Sequence, residues 1–404
     1  MAMNKRIFLD YASTTPTDKR VIRAMVPYFA GAFGNPSALY AEGLAAKAAV
    51  KDARKTIAEL LNVRTDEIIF TASGTEADNL AVRGVFEAFR AKFVPHIITT
   101  AIEHPGILEI CREIERLGGE VSYVSVEKNG IVDPKKIAAA LKPSTVLVSV
   151  MLANNEIGTI QPLREIRRAI DEYQKSSRLN LAARFNLDDP ALLPIPYLHT
   201  DASQAGNYLD VSFQKLGVDM MTLDASKIYG PKGIGLLAAR KHVALKPVIL
   251  GGGQEKGLRS GTENVPGIVG FAEALRIAQS MREKESDRLG ELRDYFFAAV
   301  IKEFSGVYIN GDMKMRLPNN INICIPKIDA EFAVIQLDQK GIAASAASSC
   351  QSLSENPFSY VVAALPEHGE GCKGSSLRFT LGRNTAKKQI DLTLRAIDSI
   401  IIKQ

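Results

Sequence analysis

A regular alternation of short apolar runs with helical segments constrains this chain more than any other feature. Apolar runs that are typical of buried strands cover residues 68–71, 96–100, 121–126, 146–151, 197–200, 220–223 and 235–238. Helical segments lie between most of them, which is the pattern of a largely parallel sheet with crossover helices. The sequence therefore predicts an α/β fold.

The pattern changes after about residue 266. Two long helices, an alternating strand at 320–325, a Ser/Ala-rich loop, a strand at 376–381 and a final helix indicate a smaller α+β domain. A chain of 404 residues is long enough for two such units. Segment 175–196 interrupts a helix-to-strand connection that normally needs only a few residues. It is predicted to be a surface insertion or a functional flap.

Composition excludes several classes of function. The net charge of +5 is spread without any Lys/Arg block, so we expect neither nucleic-acid binding nor membrane attachment. No apolar segment approaches a membrane span, and the N-terminus lacks the apolar region of a signal peptide. The four cysteines form no CxxC pair, which favours a reducing, cytoplasmic location. We predict no metal site.

One lysine stands at the junction between an apolar run and a Gly/Pro turn. Lys227 follows the run that ends at Leu223 and precedes Gly230-Pro231. A lysine held beside an apolar wall can lose its proton and become an amine nucleophile. An isolated Ser-Lys before a turn is more often a surface residue, so the assignment depends on the groups predicted to surround it.

Four further polar groups stand where predicted strands end, namely Gly74–Thr75, His104, Asn155 and Asp201. Each alone is commonly structural, as a helix cap, a hydrogen-bonded histidine or a turn residue. The carboxyl ends of parallel strands meet at one edge of a sheet, where α/β proteins bind ligands. A phosphate site, an imidazole, an amide, a carboxylate and a lysine are together the set that pyridoxal phosphate (PLP) requires.

Several motifs in register identify a family. They are residues 9–16 (LDYASTTP), 33–37 (FGNPS), 71–76 (TASGTE), 103–104 (EH), 154–158 (NNEIG), 201–204 (DASQ), 227–233 (KIYGPKG), 259–262 (RSGT) and 378–383 (RFTLGR). Nearly end to end, the chain resembles the cysteine desulfurases of the NifS/IscS type, in the aminotransferase class V group of fold-type I PLP enzymes. The resemblance implies a seven-stranded, mostly parallel sheet in a large domain (15–262) and a smaller domain (1–14 and 263–404).

The resemblance also implies a role for each cofactor-binding residue. Lys227 would hold the cofactor covalently and move the substrate Cα proton. His104 would stack on the ring and assist proton transfers, while Asp201 would pair with the ring nitrogen and Gln204 would reach the ring hydroxyl. The phosphate would be bound by Gly74, Thr75, Ser226 and, from the neighbouring subunit, Thr262, which implies a homodimer with shared sites.

The remaining implied roles concern the substrate. Arg383 would take the substrate carboxylate as a bidentate pair, with Asn155 assisting. Cys350 would be the second nucleophile, in a small-residue stretch that we interpret as a mobile loop. Of the other cysteines, Cys111 and Cys324 are predicted to lie in the core, and Cys372 is the rival exposed thiol.

These roles imply a PLP-dependent cysteine desulfurase. L-Cysteine would become L-alanine, with a persulfide left on Cys350 for a sulfur-acceptor protein, either an iron–sulfur scaffold or a tRNA-thiolation relay. The alternatives are a selenocysteine lyase or another class V enzyme, an aminotransferase that has no use for the loop thiol, and a non-catalytic scaffold with the same fold.

Two residues depart from the family pattern near the lysine. The residue before it is usually His and the third before it Ser or Thr, whereas this chain has Ser226 and Asp224. A carboxylate at Asp224 would repel the phosphate dianion if it pointed inward. We therefore expect Asp224 to turn away or to pair with a cation, and the affinity for the cofactor to be reduced.

Overall fold

The computed structural model describes residues 6–185, 196–346, 358–366 and 369–401. The strands in these ranges are β1 (Ile7–Phe8), β2 (Ile68–Thr71), β3 (His96–Thr100), β4 (Glu120–Val124), β5 (Thr145–Ser149), β6 (Tyr197–Asp201), β7 (Met220–Asp224), β8 (Gly235–Ala239), β9 (Tyr308–Ile309), β10 (Asn320–Cys324), β11 (Ile342–Ala343) and β12 (Ser376–Thr380). The helices are α1 (Lys19–Met25), α2 (Pro27–Ala30), α3 (Ala41–Leu61), α4 (Gly74–Phe89), α5 (Pro105–Arg116), α6 (Pro134–Ala140), α7 (Leu163–Phe185), α8 (Phe213–Leu216), α9 (Val265–Glu303), α10 (Ala330–Gln339), α11 (Tyr360–Ala363), α12 (Gly369–Cys372) and α13 (Lys387–Ile401). Within this described part, none of the helices is long and apolar enough to cross a membrane.

The central sheet has seven strands in the order β2-β8-β7-β6-β5-β3-β4. Neighbouring strands from β7 to β4 are parallel, and β8 runs antiparallel to both β7 and β2. Strands β3, β5 and β8 are buried along their whole length, because helices cover both faces of the sheet. The predicted mostly parallel, seven-stranded α/β fold is confirmed.

Helices α4 and α5 cover one face, and their first residues stand at the sheet edge where the polar groups collect. The Ser73 side chain caps α4 by accepting a hydrogen bond from the Glu76 amide. Val82, Val85 and Phe86 of α4 are fully buried against the sheet, as their helical spacing predicts. The cap and the apolar stripe together hold the N-terminus of α4 at the end of β2.

A second apolar core lies around β10, which pairs antiparallel with both β9 and β12. The N-terminal strand β1 pairs with β11 and contributes Ile7 to this core. Helix α9 joins the two cores: Phe271 packs in the first and Phe296 in the second. The prediction of two long helices here is wrong, because one 39-residue helix continues across both cores.

One cysteine prediction changes with the structure, whereas Cys324 lies in the core as predicted. Cys324 at the end of β10 forms a disulfide with Cys372 of α12, which lies 48 residues later. Cys372 is therefore neither exposed nor a thiol, and only 3% of its surface is accessible. Cys111 is a buried free thiol in α5, as predicted.

Part of the predicted insertion at 175–196 is helical. Helix α7 continues to Phe185, so its last turns belong to this segment. Residues 186–195 lie outside the described ranges, and the choice between an insertion and a flap stays a prediction.

Candidate active site

A cavity of about 180 Å³ lies at the carboxyl ends of the central strands. It brings together most of the residues that the sequence predicted for the site, namely Gly74, Thr75, His104, Asn155, Asp201, Gln204, Ser226 and Lys227. Their positions in the chain span more than 150 residues, and the parallel strands carry them to one edge.

Lys227 projects from a short 3₁₀ turn, Ala225–Lys227, that follows β7 directly. Its Nζ donates hydrogen bonds to the carbonyl oxygens of Ala12, at 3.1 Å, and Ser13, at 2.5 Å. The amine is therefore held at the cavity wall by the N-terminal segment, in a position from which it can react with a group inside the cavity.

His104 caps α5, and this contact settles which ring nitrogen carries the proton. The Gly106 amide donates to His104 Nδ1 at 3.1 Å, so Nδ1 keeps its lone pair and Nε2 carries the hydrogen of the neutral ring. Burial lowers the pKa of His104, which favours the same neutral form. The neutral ring lines the cavity.

Asp201 and Gln204 occupy the end of β6 and the turn after it. One oxygen of Asp201 accepts a hydrogen bond from the Ser203 amide at 2.9 Å, and Gln204 Nε2 donates to the Ala12 carbonyl at 2.9 Å. These contacts fix a carboxylate and an amide on the cavity wall. Such a pair can bind a protonated ring nitrogen and a ring hydroxyl oxygen.

Two buried carboxyl groups that the sequence did not single out as site residues lie near Asp201. Burial raises the pKa of Asp78 well above its usual range and the pKa of Glu103 to about 8. The Glu103 carboxyl therefore holds a proton at neutral pH. Asp78 also lines the cavity, and its Oδ1 has no hydrogen-bond partner among the described residues.

The phosphate end of the predicted site contains a carboxylate. Asp224 lines the cavity, and its Oδ2 accepts a hydrogen bond from the Gly74 amide at 2.9 Å. Its Oδ1 accepts from the Ser226 amide and hydroxyl, at 2.8 and 2.6 Å. Without a phosphate, Asp224 points inward, because the uncharged donors at the start of α4 and in the lysine turn hold it there. The expectation that it turns away from a bound phosphate stays a prediction.

The arginine that faces the cavity is Arg378 on β12. It is 98% buried, its Nη2 donates to Asp10 at 2.8 Å and its Nη1 to the Asn155 carbonyl at 3.1 Å, and its Nε has no partner in the described ranges. Arg383, which the sequence favoured, stacks on Tyr229 and pairs with Asp18 at 2.8 Å, outside this cavity. The structure therefore does not bring Arg383 to the cavity, and the carboxylate-binding role predicted for it is proposed for Arg378 instead. The signal that could have found it is its place between two large apolar residues, Leu377 and Phe379, in a predicted strand.

Three further positions complete the account of the predicted site. Thr262 is exposed and borders a separate groove, so a single chain does not bring it to the cavity. Cys350 lies outside the described residues. Ser203, which the sequence did not single out, lines the cavity beside Gly74.

The donor set fits pyridoxal phosphate. A lysine amine, an imidazole face and a carboxylate surround the cavity, and the buried Asn155 Oδ1 and Arg378 Nε find no partner among the described residues, so both are open to a ligand. The phosphate end fits only after Asp224 withdraws from the Gly74 amide. The described ranges contain no group of three or more His, Cys, Asp or Glu residues that could hold a metal ion.

Comparisons with known proteins agree with the resemblance. A family model described as aminotransferase class-V matches residues 7–177 and 196–393, which leaves out most of the predicted insertion. The chain is 42% identical to a protein of Dictyoglomus turgidum named cysteine desulfurase IscS, over 99% of this chain and 96% of that protein. A Methanosarcina thermophila protein of the same name is 39% identical, over 99% and 93%. A solved structure titled NifS-like protein superposes with a TM-score of 0.87 at 31% identity, covering 99% of this chain and all of that one.

Proposed function

Because this chain belongs to the aminotransferase class-V family, we propose that it is a PLP-dependent cysteine desulfurase. It converts L-cysteine to L-alanine and keeps the sulfur on Cys350 as a persulfide for an acceptor protein. The observation that carries the proposal is the meeting of Lys227, His104 and Asp201 in one cavity with a buried arginine. The names of its full-length relatives support the same activity.

Pyridoxal phosphate, when bound, supplies an electron sink for the substrate Cα. Lys227 holds it covalently and afterwards carries the Cα proton on Nζ. Asp201 would pair with the ring nitrogen, Gln204 would reach the ring hydroxyl, and His104 would stack on the ring face, with its Nε2 hydrogen as a second proton source. The Gly74 and Thr75 amides and the Ser226 hydroxyl would hold the phosphate.

Arg378 binds the substrate carboxylate in this proposal. Its guanidinium is already oriented by Asp10 and by the Asn155 carbonyl, so little side-chain entropy is lost when a carboxylate arrives. The Asn155 side chain lies beside it in the cavity and can bind the same carboxylate. A buried, pre-oriented arginine selects an α-amino acid by its carboxylate.

Sulfur leaves the substrate by attack of the Cys350 thiolate on the cysteine sulfur atom. A new S–S bond forms, and the substrate C–S bond breaks with its electron pair left on carbon, which takes a proton to give alanine. Cys111 cannot replace Cys350, because burial raises the pKa of its thiol to about 12. The acceptor is a protein that takes sulfur by thiol exchange, such as an iron–sulfur scaffold or a tRNA-thiolation relay.

The active form is a homodimer in which Thr262 reaches the phosphate of the partner's cofactor. Thr262 is exposed in the single chain, and large apolar side chains are exposed before α3, with Phe33 at 69% and Leu39 at 88% accessible. A second copy would cover such surface. Sedimentation velocity tests this: the wild-type chain should be a dimer and Leu39→Asp should shift it toward monomer, whereas a monomeric wild type would refute it.

The test of the proposed activity uses purified protein with PLP, L-cysteine and a thiol reductant. We expect alanine and sulfide in equal amounts, loss of both in Cys350→Ser, and full activity in the matched control Cys111→Ala. A Cys350→Ser variant with full activity would point to an aminotransferase-like reaction, and strong preference for selenocysteine would point to a lyase. A protein that releases no alanine with added PLP would favour the scaffold alternative.

A further inference from the structure

The side chain of Asp224 holds two of the residues whose donors the phosphate is expected to use, Gly74 and Ser226. Gly74 is the first residue of α4, and its amide donates to Asp224 Oδ2 at 2.9 Å. Ser226 lies in the turn that carries Lys227, and both its amide and its hydroxyl donate to Asp224 Oδ1. The carboxylate therefore links the start of α4 to the lysine turn.

The N-terminus of α4 favours the binding of one anionic group. Helix α4 is 16 residues long, and its N-terminal amides carry the positive end of the helix dipole. A Cβ atom at position 74 would lie 3.2 Å from Ser203 Oγ and 3.3 Å from Asp224 Cβ, so the absence of a side chain there allows the close approach. The Gly74 N–H donates to Asp224 Oδ2, so a phosphate oxygen can accept this hydrogen bond only in place of the carboxylate.

We infer that Asp224 competes with the cofactor's phosphate for the N-terminus of α4, which rests on the proposed function. In the cofactor-free chain the carboxylate stabilises this helix start and the adjoining lysine turn. A phosphate binds only when the carboxylate gives up the Gly74 amide and the Ser226 hydroxyl, because two anions on the same donors repel each other. The phosphate consequently adds little to cofactor affinity in this chain, and Asp224 sets how strongly the enzyme retains its cofactor.

The experiment measures binding of two aldehydes to cofactor-free protein by absorbance titration, without any turnover. Pyridoxal phosphate carries the phosphate, and pyridoxal lacks it. We expect Asp224→Asn, which removes the charge and keeps the shape, to tighten pyridoxal phosphate binding by at least about tenfold. Pyridoxal binding should stay within about twofold, because no phosphate meets the changed side chain.

Asp210→Asn is the matched control. Asp210 accepts a hydrogen bond from the amide two residues on, as Asp224 does, but it pairs with Lys215 outside the cavity. This control should bind both aldehydes as the wild type does. Melting temperatures provide a second readout: cofactor-free Asp224→Asn should melt lower than wild type, and its gain on adding pyridoxal phosphate should be larger.

The outcomes separate this inference from the proposed function. Pyridoxal phosphate binding of equal strength in wild type, Asp224→Asn and a second variant, Asp224→Ser, would overturn the competition and leave the desulfurase proposal intact. Weaker binding in both folded variants would make Asp224 a phosphate ligand and would also overturn it. If no variant and no wild-type protein binds either aldehyde, the inference and the proposed function fail together.

Discussion

Replacing Arg378 with lysine tests which of two nearby arginines binds the substrate carboxylate. Lysine keeps the positive charge that Asp10 requires but loses the planar fork that can grip a carboxylate with two hydrogen bonds. A hydrogen bond to a charged group contributes about 1.5–3 kcal/mol. Loss of one such bond therefore lowers kcat/KM for L-cysteine by about 10- to 150-fold. The loss should appear mainly as a higher KM, because the carboxylate is bound before and during the reaction.

Arg383→Lys is the control for this substitution. Arg383 pairs with Asp18 and stacks on Tyr229, so a lysine there should change kcat/KM by less than about threefold. Both variants are assayed for alanine release over a range of L-cysteine concentrations, with circular dichroism melts to verify that each is folded. A large loss in Arg383→Lys together with normal kinetics in Arg378→Lys would refute the assignment drawn from the cavity.

Two further predictions concern stability. Glu103 is fully buried with a pKa of about 8, so from about pH 5 to 8 the folded chain keeps a proton that the unfolded chain has released. The contribution of Glu103 to the free energy of unfolding should therefore fall by roughly 2–4 kcal/mol as pH rises through this window. In urea titrations, the free energy of unfolding of the wild type relative to that of Glu103→Gln should fall by this amount, and a difference that does not change with pH would contradict the assignment. Reduction of the Cys324–Cys372 disulfide should destabilise the chain by about 2–4 kcal/mol, and Cys372→Ala should melt like the reduced wild type; equal melting of the reduced and oxidised wild type would contradict this.

The central sheet and most of the residues that line the cavity could be predicted from the sequence. In the sequence, Asp201, His104 and Lys227 each come at or shortly after the end of an apolar run. Because the carboxyl ends of parallel strands meet at one edge of the sheet, these three residues could be assigned to one site. The single helix α9 could not be predicted in the same way. Its buried apolar residues pack in the first core near its start and in the second core near its end, so they do not form one continuous apolar stripe.

The directions in which several side chains point could not be predicted from the sequence. Arg378 and Arg383 are five residues apart, and only the pairing of β12 with β10 turns the first toward the cavity while Tyr229 and Asp18 hold the second elsewhere. Repulsion from a bound phosphate was the basis for expecting Asp224 to turn away, and the sequence did not show that the donors at Gly74 and Ser226 hold it inward when no phosphate is present. Cys372 meets Cys324 through contacts between segments 48 residues apart, which no local pattern encodes.

Chemical trapping reports whether Lys227 binds pyridoxal phosphate covalently. Protein mixed with pyridoxal phosphate is reduced with borohydride, digested and examined by peptide mass spectrometry, with Lys227→Ala as the control. We predict a phosphopyridoxyl group on Lys227 and none in the Lys227→Ala variant. Labelling of Lys232 or of surface lysines alone, with Lys227 unmodified, would contradict the account.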